Sequence, residues 1–163
     1  MRIPVVPLLV LAWSSLAWAA ETAPAFTLRL LDGRKTLDSR SYLGKKTLLV
    51  RFQASWCKPC ARDGPGFERS YRKYRRRGVE FVGVQLQDDA TAARKFLRAH
   101  QASYPVGLDP DGRIAERFGI TQPPYTIVIS KKGEIVSRRA GRLSEAELTK
   151  LLDRLLAPPT KRR

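Results

Sequence analysis

Both cysteines of this chain fall in one five-residue stretch, Trp56-Cys57-Lys58-Pro59-Cys60. An apolar, β-rich run, Thr47 to Gln53, precedes the stretch, and a helical run opening at Ala61-Arg62-Asp63 follows it. A strand that turns sharply into a helix puts the cysteines at the helix N-terminus. There the unpaired N–H groups and the positive end of the dipole favour a thiolate over a thiol. The thiolate is the form that attacks. Two intervening residues put the second sulfur about one turn further on, on the same helix face. This pattern reads as a dithiol redox centre, with Cys57 as nucleophile and Cys60 as resolving thiol. Two other readings compete. A structural zinc site needs about four ligands, and the chain offers one further soft donor, His100. A structural disulfide across so short a loop constrains the unfolded chain little.

The neighbours of the pair fit the redox reading. The charge of Lys58 favours the Cys57 thiolate. Pro59 fits the first helical turn without losing a needed hydrogen bond. Trp56 reads either as an exposed apolar platform for a partner or as packing. His100 lies near a helix end, where a surface or capping role is the default.

Trp56-Cys57-Lys58-Pro59-Cys60 resembles the W-C-x-P-C site of thioredoxin-fold proteins. The longer run Leu49 to Cys57 is similar to that of the secreted TlpA/ResA-like thiol–disulfide oxidoreductases. A second match, Phe118 to Ile129, resembles the family segment that ends in proline, any residue, threonine and a strand. The resemblance spans roughly Thr22 to Ala157. It implies that Pro124 is a cis-proline facing the cysteines. It also implies that a carboxylate after the third strand takes the proton from Cys60, a position matched approximately by Asp88; Asp88 and Asp89 would serve equally well as helix N-caps. Three residues depart from the family pattern. Arg51 stands where cytosolic thioredoxins carry a buried aspartate and this family often an asparagine. Gln122 replaces a usual glycine, and Ser130 a frequent aspartate. Arg51 is expected to stabilise a buried thiolate if its guanidinium reaches the sulfurs, and otherwise to be capped by a carboxylate elsewhere.

The rest of the chain supports one α/β domain over residues 22–157. Expected strands are Phe26–Leu30 and Thr36–Leu37 as a small N-terminal hairpin, then Thr47–Gln53, Val79–Leu86 and a short edge strand Tyr104–Val106. Tyr125–Ser130 and Glu134–Ala140 form a terminal hairpin. Expected helices run from Cys60 to about Arg77, kinked at Pro65, then Ala90–His100, Arg113–Phe118 and Glu145–Leu156. The last of these starts at the capping box Ser144-Glu145-Ala146-Glu147. Glu21–Pro24 reads as a linker and Asp109–Gly112 as a turn. Alternating strands and helices give a thioredoxin-like mixed central sheet flanked by helices.

Residues 1–19 read as a signal peptide. Arg2 is the n-region, Ile3–Ala17 the apolar run, and Ala17-Trp18-Ala19 the small-x-small cleavage pattern. An uncut N-terminal anchor is the alternative. Residues 158–163 form a basic tail. The domain is therefore expected in the periplasm or another extracytoplasmic space, where a partner must keep a dithiol in its working state. There are 31 Lys and Arg against 15 Asp and Glu, a net charge of +16. No nucleic-acid motif accompanies that charge, so a weak attraction to membrane surfaces or acidic partners is the use it suggests.

The leading reading is an extracytoplasmic protein-disulfide reductase acting as a monomer without cofactor or metal. The resemblance implies clients such as haem-site cysteines of apocytochrome c or a copper-site cysteine pair of an oxidase subunit. It also implies recharging by a membrane thiol transporter. The alternatives are a general disulfide oxidant, favoured by the charges of Lys58 and Arg51, a copper(I) metallochaperone using Cys57 and Cys60, and a peroxidase on the same fold.

Overall fold

The structure, a computed structural model, describes residues 20–33 and 35–158. The signal-peptide reading of 1–19 and most of the basic tail fall outside the described residues. Among the described residues there are seven strands: β1 (Thr27–Arg29), β2 (Thr36–Asp38), β3 (Thr47–Gln53), β4 (Val79–Leu86), β5 (Val106–Asp109), β6 (Tyr125–Ile129) and β7 (Ile135–Ala140). Four α-helices accompany them: α1 (Lys58–Tyr74), α2 (Ala90–Ala99), α3 (Arg113–Arg117) and α4 (Glu145–Leu156).

The central sheet has the order β5-β4-β3-β6-β7, and β1 and β2 form a separate antiparallel pair. β3 pairs parallel with β4 and antiparallel with β6, so the sheet is mixed as expected. Its middle strand, β3, is buried along its whole length, which explains its nearly unbroken apolar run. Side chains alternate across it. Leu48, Val50 and Phe52 join a core with Phe26, Leu37, Ala115 and Phe118. Leu49 joins the opposite core with Phe67, Tyr74, Phe81, Leu148 and Leu152 from α1, β4 and α4. Arg51 and Gln53, two and four residues after Leu49, share its face. That places two polar side chains beneath α1.

The structure moves three expected boundaries. The edge strand is β5, not Tyr104–Val106, and it includes Asp109, whose carboxylate accepts from Ile114 N–H at 3.1 Å and Ala115 N–H at 2.9 Å. Gly107 makes this edge, because a Cβ there would lie 2.3 Å from the Arg29 carbonyl oxygen. The segment read as a linker is paired: Ala23 N–H donates to Gly133 O and Ile135 N–H to Glu21 O, both at 2.8 Å. Helix α1 begins at Lys58 rather than after Cys60, and it passes through Pro65 as one element. Its last turn tightens into a 3-10 segment, Arg75–Arg77, stopped by Gly78 at φ 80°.

Candidate active site

Cys57 is the N-cap of α1, with extended backbone, and Cys60 lies in the first turn. Their Cα atoms are 5.2 Å apart and their sulfurs are joined as a disulfide. The Cys60 N–H donates to Cys57 Sγ at 3.2 Å, one of the helix's otherwise orphaned donors aimed at the first sulfur. Lys58 is exposed and Pro59 half-buried in the same turn, where a proline lacks only an N–H that needs no partner. Cys57 is 4% exposed and Cys60 not at all. A partner therefore meets the first sulfur before the second.

Trp56 is 56% exposed, held by an Nε1–H bond of 3.3 Å to Gln87 O. It stands as an apolar surface beside Cys57. The Pro123–Pro124 peptide is cis. Tyr125 pairs with Phe52 in the register of β6 on β3, which brings Pro124 to the end of β3 from which the cysteine loop departs. A hollow of about 210 Å³ opens there, lined by residues 119–125 with Ala140 and Gly141.

Asp88 sits under the cysteine loop and is engaged on both oxygens. It accepts from Ser55 N–H at 2.6 Å, Ser55 Oγ–H at 2.7 Å, Gln85 Nε2 at 2.9 Å and Asp89 N–H at 3.0 Å. These bonds pin the loop before Cys57 to the end of β4. The N-cap of α2 is Asp89, accepting from Thr91 and Ala92 N–H. His100 comes closer to the site than its sequence position suggests. Its ring packs against Gly64 in α1, with Nδ1 2.7 Å from Phe96 O. Phe96 is clustered with both cysteines. Among the described residues, no group of three or more His, Cys, Asp or Glu side chains is placed to hold a metal ion.

One acidic residue of the site was not singled out from the sequence. Asp63 lies one turn beyond Cys60 and is 5% exposed. Its Oδ1 accepts from Arg142 Nε at 3.0 Å and Nη2 at 2.8 Å, and its Oδ2 accepts from Leu143 N–H at 3.2 Å. An aspartate at i+3 from a buried cysteine, on the same helix face, was the available signal.

This geometry coincides with family membership. The AhpC/TSA family model matches residues 19–138. The chain belongs to the AhpC/TSA family. Among its relatives is the thiol:disulfide interchange protein HelX of Rhodobacter capsulatus, 33% identical over 86% of this chain and 78% of that one. Another is the thiol-disulfide oxidoreductase ResA of Halalkalibacterium halodurans, 31% identical over 85% and 78%. A thioredoxin-family thiol:disulfide interchange protein from Chlorobium tepidum superposes with TM-score 0.76 at 26% identity, over 85% of this chain and 97% of that one. This member of the AhpC/TSA family has the thioredoxin fold and is a thiol–disulfide oxidoreductase with a Cys57–Cys60 redox pair. Disulfide-containing proteins are the clients that such chemistry requires.

Proposed function

We propose that the protein is an extracytoplasmic reductant of specific protein disulfides, serving cytochrome c maturation or the assembly of an oxidase copper site. The observation that carries the reading is Cys57 as N-cap of α1, with the Cys60 N–H on its sulfur and Trp56 exposed beside it. The Cys57 thiolate attacks a client disulfide, forming a mixed disulfide and releasing one client thiolate. Cys60 then attacks Cys57 Sγ, the client leaves with both thiols, and the Cys57–Cys60 bond closes. Pro124, beside the hollow at the end of β3, borders the groove for the client strand. Lys58 and Pro59 tune the first turn. Asp88 holds the loop. The names ResA and HelX of the relatives support this role; in this reading residues 1–19 are a cleaved leader and the protein works in the periplasm. A membrane thiol transporter restores the dithiol. No helix among the described residues is long and apolar enough to cross a membrane.

The test uses a disulfide-bonded peptide carrying the two haem-site cysteines of an apocytochrome c. The reduced protein should open it stoichiometrically, Cys57→Ser should not react, and Cys60→Ser should accumulate the mixed disulfide. A Cys57→Ser protein as active as the parent would overturn the assignment. The direction of electron flow is read from glutathione equilibration. A potential near about −270 mV marks a reductant, and one near about −120 mV an oxidant. The oxidant reading draws on one specific observation, the buried charge of Arg51.

A further inference from the structure

Arg51 is 1% exposed, the largest of the fully buried side chains. Its guanidinium stacks on Phe67, with Cζ 3.5 Å from the ring centroid. Nη2 donates to the carbonyl oxygen of Cys60 at 3.1 Å. Nε and Nη1 meet no acceptor among the described residues, and Arg51 forms no ion pair among them. Two titratable groups act on it, Asp63 and Tyr104. Asp63 is already neutralised by Arg142 and bonded to Leu143 N–H. Tyr104 donates to Gln53 Oε1, and burial pushes its ionisation up, so it stays neutral. Burial pushes the Arg51 pKa down, but a guanidinium keeps its proton in proteins. A full positive charge thus lies against the main chain of Cys60, with no ion pair among the described residues, an arrangement that is costly while the disulfide is closed.

We propose that Arg51 is the built-in counter-charge of Cys60, a positioning residue that holds the resolving sulfur as a thiolate and favours the reduced pair. The proposal rests on the thiol–disulfide reading above. When a dithiol donor reduces the protein, the Cys57–Cys60 bond breaks and the donor's two sulfurs join. Two electrons pass to the pair, and the donor's two protons go to water except for any that Cys57 takes. Whichever proton Cys57 takes, Cys60 takes none, because its anion pairs with Arg51. In the resolving step Cys60 attacks Cys57 Sγ directly, the bond to the client breaks, and the departing client thiolate takes a proton from water. No separate base is needed, which accords with Asp88 and Asp63 both being fully engaged elsewhere. The charge also makes the pair less reducing than a neutral residue would. That restricts its clients to disulfides that are themselves readily reduced.

The experiment compares the parent with Arg51→Met and Arg51→Lys in two readouts. The first is the glutathione equilibrium of the Cys57–Cys60 pair. Arg51→Met should lower the constant for reduction roughly tenfold, about 30 mV for a two-electron couple, and Arg51→Lys should recover part of it. The second is the pH dependence of thiolate ultraviolet absorbance in a Cys57→Ser background, where Cys60 is the sole thiol. Arg51→Met should reduce its acidity by about tenfold, one pKa unit. An unchanged equilibrium and unchanged Cys60 ionisation in Arg51→Met would overturn the proposal. If that variant does not fold, Cys57→Ser alone decides. With Arg51 present, Cys60 should ionise below the ordinary cysteine value of about 8.5, and ionisation above it sinks the idea. Neither readout uses a client. A protein that leaves the apocytochrome peptide oxidised but shows an Arg51-dependent equilibrium loses its assigned client and keeps this mechanism.

Discussion

The seam between α1 and α4 and the floor beneath the cysteines use arginine in opposite ways. At the seam, Tyr74, Leu148, Leu151 and Leu152 are buried in one apolar cluster. The arginines sit outside it, with Arg69 on Glu145 at 2.6 Å and Arg77 on Asp153. Each is largely exposed and keeps its charge in water while its stem covers apolar surface. At the floor, Arg51 is sealed in with its Nε and Nη1 unmatched among the described residues, and two more unmatched polar atoms lie further along β3 and β4, on Gln53 (Nε2) and its register partner Gln85 (Oε1). A seam of the first kind serves stability. A floor of the second kind opposes it, because unmatched buried polar groups destabilise. The difference separates residues that hold the fold from residues that hold the chemistry.

Truncating the seam gives the largest loss of stability. Leu148 is fully buried between α4 and the sheet, and Leu148→Ala should lower the unfolding free energy by about 2–5 kcal/mol. Urea denaturation measures this, and the glutathione equilibrium should not move. A shifted equilibrium would mean that seam and floor are coupled, and the contrast between them would fail.

The two regions also differed in how legible they were. Phe67, Tyr71 and Tyr74 repeat at helical spacing and are buried in the core, and the capping box at Ser144 is formed with Glu147. Period and capping are local, so the sequence carries them. The N-terminal pairing of Glu21 and Ala23 with the β6–β7 hairpin is a contact across more than 100 residues with no local signature. At the floor, Cys57, Cys60 and Arg51 were evident as residues, but what Arg51 faces was not. The bond to the Cys60 carbonyl depends on α1 starting at Lys58 and crossing the face of β3. Asp63 went unnoticed because its partner Arg142 lies 79 positions away.

Gly64 tests the border between the regions. A Cβ there would lie 2.7 Å from the His100 ring, whose neighbour Phe96 packs with the cysteines. Gly64→Ala should destabilise by about 1–3 kcal/mol, as overpacking does, and it should also slow reaction at Cys57 by displacing α2. Denaturation together with alkylation of the reduced protein reads both effects. A loss of stability with an unaltered alkylation rate would confine His100 to packing.

Asp88→Ala should have a similar or smaller effect on stability, about 1–3 kcal/mol, since it strands Ser55 N–H and Gln85 Nε2. If the loop is what Asp88 holds, peptide reduction should fall while the ionisation of Cys60 stays where Arg51 sets it. A Cys60 thiol that becomes distinctly less acidic in Asp88→Ala would instead make Asp88 part of the electrostatics of the pair.

The smallest effect is the response to acid and salt. The Arg69 and Arg77 guanidiniums hold the Glu145 and Asp153 carboxyls below the usual carboxylate range, chiefly through their side-chain hydrogen bonds. A carboxyl depressed in the folded state stabilises the protein above its unfolded pKa, about 4, and that contribution is lost as pH falls through the folded value. Both pairs are exposed, so salt should screen them. Thermal melts from neutral pH into acid should therefore be slightly steeper at low ionic strength than at high. The Arg51 charge lies out of reach of solvent ions, so the contribution that Arg51→Met removes from the glutathione equilibrium should be the same at both ionic strengths. An Arg51 effect that shrinks with salt as the seam's does would place its guanidinium within reach of solvent and dissolve the distinction between the two regions.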